Sequence, residues 1–246
     1  MNDLAYYLLS AVAALIALTV HEYSHGYVAY KMGDDTAKNQ GRLSLNPIKH
    51  LDPVGALCMI FFRVGWARPV PINPRRFKNP KRGFALCALA GPLSNIILGF
   101  FSAGAYLLCY ALLRDVSFDA GSFSFKLASN LLLFLYIFHT VNIGLGVFNL
   151  LPIPPFDGSR LLNVILPPKT YFGIMKYERQ IYFFVLGWLL LGDWVKGALL
   201  SVPLIAKSPV LSFLAGIFSL SDMLGTAMGW LSDAIISLWQ LIPFLA

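Results

Sequence analysis

Two histidines and a glutamate directly follow a long uncharged stretch near the N-terminus. The segment "LTVHEYSHGYVAY" contains His21, Glu22 and His25 after the uncharged run 4–20. In an α-helix, residues four apart share a face, so His21 and His25 can present both imidazoles to one metal ion with Glu22 beside them. This spacing predicts a zinc site. The alternative is a pair of packed helix histidines, which membrane burial disfavours because ionisable groups there are costly and usually functional.

A catalytic zinc site takes three protein ligands and one open position, so a third ligand is needed. Asp157 is the candidate, because it follows three prolines in the segment "NLLPIPPFDGSR". The prolines of this segment must break the third uncharged run, and Gly158 allows the chain to turn. Such a broken segment can bring a carboxylate to the depth of the histidines. The alternative is that Asp157 only caps the following short helix, and this motif alone leaves both readings open.

The elements that must position these residues are membrane spans. The chain is 57% hydrophobic and 13% charged, with a mean hydropathy of +0.67, which lies outside the usage of soluble domains. Uncharged runs long enough to cross a bilayer occur at 4–20, 84–113 and 127–156, and a fourth begins at Ile181. The apolar tail 209–246 is interrupted by Ser-Asp pairs, which suits a short hairpin or interfacial helices.

These runs predict an all-α polytopic membrane protein with about four to six transmembrane segments. We expect one domain over 1–246, with a catalytic core at about 4–167 and C-terminal spans or interfacial helices over 181–246. The three cysteines lie in apolar context without a CxxC pair, so they are expected to be free rather than ligands or disulfides.

The net charge of +7 reports topology rather than nucleic-acid binding, because eleven of the Lys and Arg residues lie between Lys31 and Arg82. By the positive-inside rule, the segments 31–83 and 157–180 face the cytoplasm and the N-terminus faces outside. From Lys31 back to His21 is about 15 Å of helix, which places the metal site inside the membrane near its cytoplasmic side. We expect a multi-pass protein of the cell membrane.

A re-entrant or interfacial β-hairpin is predicted over 54–74, "VGALCMIFFRVGWARPVPINP". Its short β-prone run is bracketed by Gly55 and Gly65 and followed by prolines that exclude an ordinary span. Such backbone is tolerated at membrane depth only against protein or a water-filled cavity. We expect this hairpin to offer a strand edge to an unwound substrate segment.

Two independent motifs, in this order, resemble those of the site-2 protease family of intramembrane zinc metalloproteases. One is HEYSH in the first run, and the other is the Asn149-x-x-Pro152-x-Pro154-x-x-Asp157-Gly158 pattern after the third. Further matches to small bacterial and archaeal members without a PDZ domain are "GDDTAKNQGRLSLNPIKHLDPVG", "GWARPVPINP" and "AGPLSN". The resemblance runs from about residue 21 to 165. Phe156 replaces the commoner Leu and Ser159 a frequent second Gly, and neither departure removes a ligand.

This resemblance implies one Zn²⁺ per chain, held by His21, His25 and Asp157. It also implies that Glu22 is the general base that activates a metal-bound water. The implied function is a zinc-dependent intramembrane endopeptidase of a prokaryotic cytoplasmic membrane, whose partners are the lipid bilayer and a membrane-spanning protein substrate.

Weaker site candidates have structural alternatives. Asn149 matches the family's Asn and is expected to contact the substrate backbone or oxyanion, or else to cap a helix. For Asn95, in AGPLSN, the sequence leaves two roles open: contact with the substrate, or a hydrogen bond between helices. His139 is expected to be a packing residue rather than a metal ligand. The sequence leaves open which way Asn142 faces in the third span. His50 is expected to be a structural hydrogen-bonding residue.

Two rival functions use the same residues. The chain could be a catalytically idle metal-binding scaffold or a metal transporter. Transport predicts further ionisable residues threaded through other spans, and apart from His139 the uncharged runs 84–113 and 127–156 have none. The intact Glu22 argues against an idle enzyme.

Overall fold

The computed structural model describes residues 3–55, 67–216 and 219–245, and this part of the chain is built from helices. In chain order they are α1 (Asp3–Lys31), α2 (Thr36–Asn39), α3 (Pro80–Leu113), α4 (Phe123–Asn149), α5 (Gly158–Ile165), α6 (Pro168–Met175), α7 (Glu178–Leu200), α8 (Pro203–Lys207), α9 (Pro209–Gly216) and α10 (Leu220–Gln240). Short 3₁₀ turns occur at Pro47–Lys49 and Pro74–Arg76. The helical architecture predicted from the sequence is confirmed over these residues.

Four of the described helices are long and apolar enough to cross a membrane: α1 from Leu4 onward, α3, α4 and α7. The bent pair α9 and α10 adds a fifth candidate if the two helices form one broken span. The protein is therefore a multi-pass membrane protein, in agreement with the predicted four to six segments.

Glycines allow α3 and α4 to pack closely against each other. A Cβ on Gly99 of α3 would lie 2.6 Å from Cδ1 of Ile143, and one on Gly146 of α4 would lie 2.7 Å from Cγ1 of Ile96. Small residues let transmembrane backbones approach in this way, because lipid supplies no hydrophobic drive for helix association. α1 packs against both of these helices. The three-helix arrangement brings distant polar side chains together.

Helix α10 packs against the same bundle. Trp239 donates its indole N–H to the carbonyl oxygen of Phe100 at 2.9 Å. The indole fills the space above Gly104, where a Cβ would meet it at 2.5 Å. Ile235 joins Ala103 and Ile143 in a buried apolar cluster. The tail thus contributes a packed helix to the membrane core.

An extended segment, 67–73, which we call the strap, runs beside the second half of α1. Its Arg68 N–H donates to the carbonyl of His50 at 2.8 Å, and its Asn73 N–H donates to Oδ2 of Asp34 at 2.6 Å. An isolated antiparallel bridge joins Leu51 to Ala67. The central residues of the predicted hairpin, 56–66, lie outside the described part of the chain, so the hairpin stays a prediction.

Candidate metal centre

Three side chains from two distant parts of the sequence converge on one point inside the bundle. Nε2 of His21 lies 3.0 Å from Nε2 of His25. Oδ2 of Asp157 lies 3.0 Å from the first nitrogen and 3.2 Å from the second. Tetrahedral zinc, with bonds of about 2.0–2.2 Å, separates its ligand atoms by about 3.3 Å. These residues form a group that could hold a metal ion, and their spacing fits zinc.

The Nδ1 atom of each histidine ring donates a hydrogen bond to an oxygen atom of the protein. Nδ1–H of His21 donates to Oδ1 of Asn95 at 2.6 Å, and Nδ1–H of His25 donates to the carbonyl of Cys87 at 2.7 Å. Because a carbonyl oxygen can only accept, the Nδ1 atom of His25 carries its proton and Nε2 is left with a lone pair. Metal-ligating histidines are typically oriented in this way. Both rings therefore turn their Nε2 atoms towards the point that they share with Asp157.

Asn95 belongs to a buried chain of amides that crosses the bundle. Its Nδ2 donates to the carbonyl of Ala17 at 3.1 Å and to Oδ1 of Asn142 at 2.9 Å. Asn142 donates in turn to the carbonyl of Phe138 at 2.8 Å. Both asparagines are fully buried. These contacts link α1, α3 and α4, fix the Asn95 oxygen towards His21, and favour the interhelical alternative for Asn95.

Gly91 of α3 forms a wall of the centre. A Cβ at this position would lie 2.5 Å from Nε2 of His25 and 2.6 Å from Nε2 of His21, close to where a shared metal ion would sit. Only a residue without a side chain leaves this volume open. The sequence analysis did not single out Gly91. The available signal was a glycine within AGPLSN in the middle of a membrane span, where it weakens the helix.

Glu22 is held beside the centre by the strap. Its Oε2 accepts a hydrogen bond from the backbone N–H of Val70 at 2.8 Å. One turn further along α1, Gly26 allows the Val70 side chain to approach, with Cγ1 3.0 Å from the position of a glycine Cβ. The strap therefore fixes one carboxylate oxygen of Glu22 and leaves the other without a bond from this segment.

Asp157 occupies the N-cap position of α5, yet its side chain makes no cap hydrogen bond. Instead it points at the two histidines. Gly158 permits the tight return of the chain, because a Cβ there would lie 2.2 Å from the carbonyl oxygen of Leu150. The geometry favours the ligand alternative over the cap.

The other predicted candidates lie elsewhere. Asn149, the last residue of α4, donates to a carbonyl one turn back in its own helix at 3.0 Å. His139 is buried between a backbone carbonyl of α3 and a hydroxyl of α10, at 2.9 and 3.0 Å, which agrees with structural packing. His50 is buried and bonds to a loop carbonyl at 2.6 Å, as expected for a structural residue.

Together, the spans and the centre define a multi-pass membrane protein with a cluster of two buried histidines and one half-buried carboxylate. The profile of peptidase family M50 matches residues 9–190. The chain therefore belongs to peptidase family M50, and the resemblance to the site-2 proteases is confirmed.

Several relatives support this membership. YwhC of Bacillus subtilis (strain 168), provisionally named a zinc metalloprotease, is 39% identical over 225 residues, which covers 89% of this chain and 98% of YwhC. Zinc metalloprotease MJ0392 of Methanocaldococcus jannaschii is 27% identical over 176 residues, covering 72% of this chain and 39% of that protein. Rip2 of Mycolicibacterium smegmatis, also provisionally named a zinc metalloprotease, is 29% identical over 160 residues, covering 63% of this chain and 56% of Rip2. No solved structure matches the chain significantly.

Proposed function

We propose that this protein is a zinc-dependent intramembrane endopeptidase that hydrolyses peptide bonds within or near the transmembrane helix of a membrane protein. The observation that carries the proposal is the convergence of His21, His25 and Asp157 within 3.2 Å, with both histidines in a helix long and apolar enough to span the bilayer. Membership of a peptidase family supplies the reaction class. One zinc ion held there would lower the pKa of a bound water toward neutrality and polarise the scissile carbonyl.

Glu22 is the general base in this proposal. Its carboxylate takes a proton from the attacking water and passes it to the departing amine. Support comes from its place next to His21 on α1 and from the Val70 amide, which holds one oxygen and so limits the rotation of the carboxylate. A base that is already oriented avoids reorganisation during the reaction.

The neighbouring amides and carbonyls position the ligands rather than react. In this proposal Asn95 and the Cys87 carbonyl orient the rings of His21 and His25, and Asn142 orients Asn95. Asn149 remains the candidate for holding the substrate backbone or oxyanion, because it ends α4 just before the segment that carries Asp157.

A substrate helix must unwind before its carbonyls can be attacked, since helical amides are bonded within the helix. We propose that the 54–74 segment pairs with the unwound stretch, as expected from its sequence. The proposed topology places the N-terminus outside and the centre near the cytoplasmic side, because the basic residues cluster after α1.

The idle scaffold and the metal transporter have less support. An idle scaffold has no need for a carboxylate held beside the ligand pair, as Glu22 is. A transporter needs a series of ionisable sites across the bilayer. In the described spans, His139 is engaged on both ring nitrogens by the protein itself. In α7, Asp193 accepts from two serine hydroxyls and Lys196 pairs with Asp222, so these groups are also engaged within the fold.

The test uses the purified full chain in phospholipid vesicles with a reporter peptide that spans the membrane. A strong zinc chelator should abolish cleavage and added zinc should restore it. The Glu22→Gln variant keeps the shape but loses the base, so cleavage should fall by about 100-fold or more while zinc content stays native. Asp119→Asn, at an exposed carboxylate before α4, serves as the control. Near-native cleavage by Glu22→Gln would refute the proposal.

A further inference from the structure

A basic loop with exposed aliphatic side chains follows the C-terminal end of α1. We define the basic loop as residues 38–51. Ile48 is 80% exposed and Leu45 is 60% exposed, and the loop also presents Lys38 and Lys49 to its surroundings. Aliphatic residues interleaved with cations are typical of segments that lie in a membrane interface.

The basic loop packs at the depth of a membrane interface. Cδ1 of Leu43 lies 3.4 Å from the Cβ position of Gly26. Gly26 is five residues before the end of α1, or about 7.5 Å along the helix axis. Tyr27 and Tyr30 are exposed in the same turns, and tyrosines concentrate at the boundary between lipid and water. Lys38 Nζ donates to the Tyr30 hydroxyl at 3.1 Å, which joins the loop to this aromatic level.

The charge of this region is strongly one-sided. The segment 31–82 carries eleven Lys or Arg against three Asp. The three carboxylates are all engaged within the fold: Asp34 by Asn73 and Thr36, Asp35 by Arg76, and Asp52 by Gly55. Within the described ranges, Lys38, Lys49 and Arg68 form no ion pair. Their charges therefore remain available to an external anion.

The basic loop is connected to Glu22 through the strap. Nε2–H of His50 donates to the carbonyl of Ser44 at 2.6 Å and closes the loop. The carbonyl of His50 accepts from Arg68 N–H at 2.8 Å. Two residues further along the strap, Val70 N–H donates to Glu22 at 2.8 Å. The position of the loop thus bears on the position of the strap that holds the carboxylate.

We propose that the basic loop, together with Arg68, binds anionic phospholipid headgroups and thereby seats the strap against Glu22. Leu45 and Ile48 insert among the acyl chains, while Lys49 and Arg68 meet the headgroup phosphates. The effect on catalysis rests on the proposed function, whereas the lipid binding itself does not.

Native mass spectrometry of the purified full chain, offered equal phosphatidylglycerol and phosphatidylcholine, measures the binding. The Glu22→Gln background makes this readout independent of proteolysis. The native loop should retain phosphatidylglycerol preferentially. In the Lys49→Gln/Arg68→Gln variant, the ratio of bound phosphatidylglycerol to phosphatidylcholine should fall by about fivefold for each cation removed. The backbone groups of Arg68, not its side chain, bond to His50 and Arg42, so the strap stays in place. Lys176→Gln, at an exposed cation outside the loop, is the control.

Unchanged lipid preference in the double variant would overturn the proposal, as would displacement of phosphatidylglycerol by inorganic phosphate.

A second experiment compares cleavage of the membrane-spanning reporter in vesicles of phosphatidylcholine with and without phosphatidylglycerol. The native protein should cleave faster with the anionic lipid, and Ile48→Ser and the double variant should lose that difference with zinc content unchanged. An equal response in the double variant would overturn the link to Glu22. If no protein cleaves but the lipid preference follows the cations, only the proposed function fails.

Discussion

The backbone N–H of Val70 donates to Oε2 of Glu22 across 2.8 Å, joining the strap to the first span at the residue beside the metal ligands. A hydrogen bond to a charged group contributes about 1.5–3 kcal/mol. This single amide is therefore strong enough to set the orientation of the carboxylate.

Val70→Pro should reveal the value of that bond, because it deletes the N–H in a strap that already contains Pro69 and Pro71. If the bond acts in the transition state, kcat should fall by about 10- to 100-fold while KM and zinc content change little. Val70→Ala is the matched control, since it removes the buried side chain but keeps the donor. Equal losses in both variants would assign Val70 to packing alone.

Gly91→Ala should weaken zinc binding, because its Cβ would lie 2.5–2.6 Å from both ligand nitrogens. Overpacking typically costs about 1–3 kcal/mol, or about 5- to 150-fold in affinity. Competition with a chromogenic chelator measures the change. Gly187→Ala, in α7, has no neighbouring atom within 4 Å and should bind zinc as the native chain does. Native zinc affinity in Gly91→Ala would contradict the close approach of α3.

Asn95→Ala should lower zinc affinity by about 10- to 100-fold, the usual effect of removing the partner of a metal-bound histidine. Asn142→Ala should have a smaller effect, because Asn142 acts through Asn95. The effects of the two substitutions should not add, since the residues share one network. Asn130→Ala, at an exposed position of α4, is the control. Additive losses would show that Asn142 acts independently of Asn95.

Trp239→Ala should destabilise the protein by up to about 3–5 kcal/mol, because it empties the space beside Gly104 and removes the bond to Phe100. Thermal unfolding in detergent measures this change. Trp230→Ala removes an indole from the same helix that is 75% exposed, and it should leave the melting temperature close to native. Equal melting temperatures for the two variants would place α10 outside the stabilising core.

The sequence indicated the spans and the candidate ligand set because both depend on local patterns. Long uncharged runs predict membrane helices directly, and the four-residue spacing of His21 and His25 fixes their shared face. Asp157 could be identified as a candidate third ligand because the prolines before it exclude a continuous helix.

The residues that surround and position the candidate ligands could not be predicted from local sequence patterns. The side-chain direction of Asn142 and the close approach of Gly91 to the histidines depend on how α3 and α4 are rotated relative to α1. The sequences of these helices do not reveal that rotation, because all three are apolar and similar in composition. The Val70 bond to Glu22 joins residues 48 positions apart through an irregular segment. Only the packed bundle shows that these residues meet.

The central claim is that His21, His25 and Asp157 together hold one zinc ion, and zinc stoichiometry of the purified chain tests it most directly. The native protein and the control Asp119→Ala, at an exposed carboxylate before α4, should each bind about one equivalent, the number that a single three-ligand site holds. Asp157→Ala and His25→Ala should each retain far less. A full equivalent bound by Asp157→Ala would contradict the account and remove this carboxylate from the metal site.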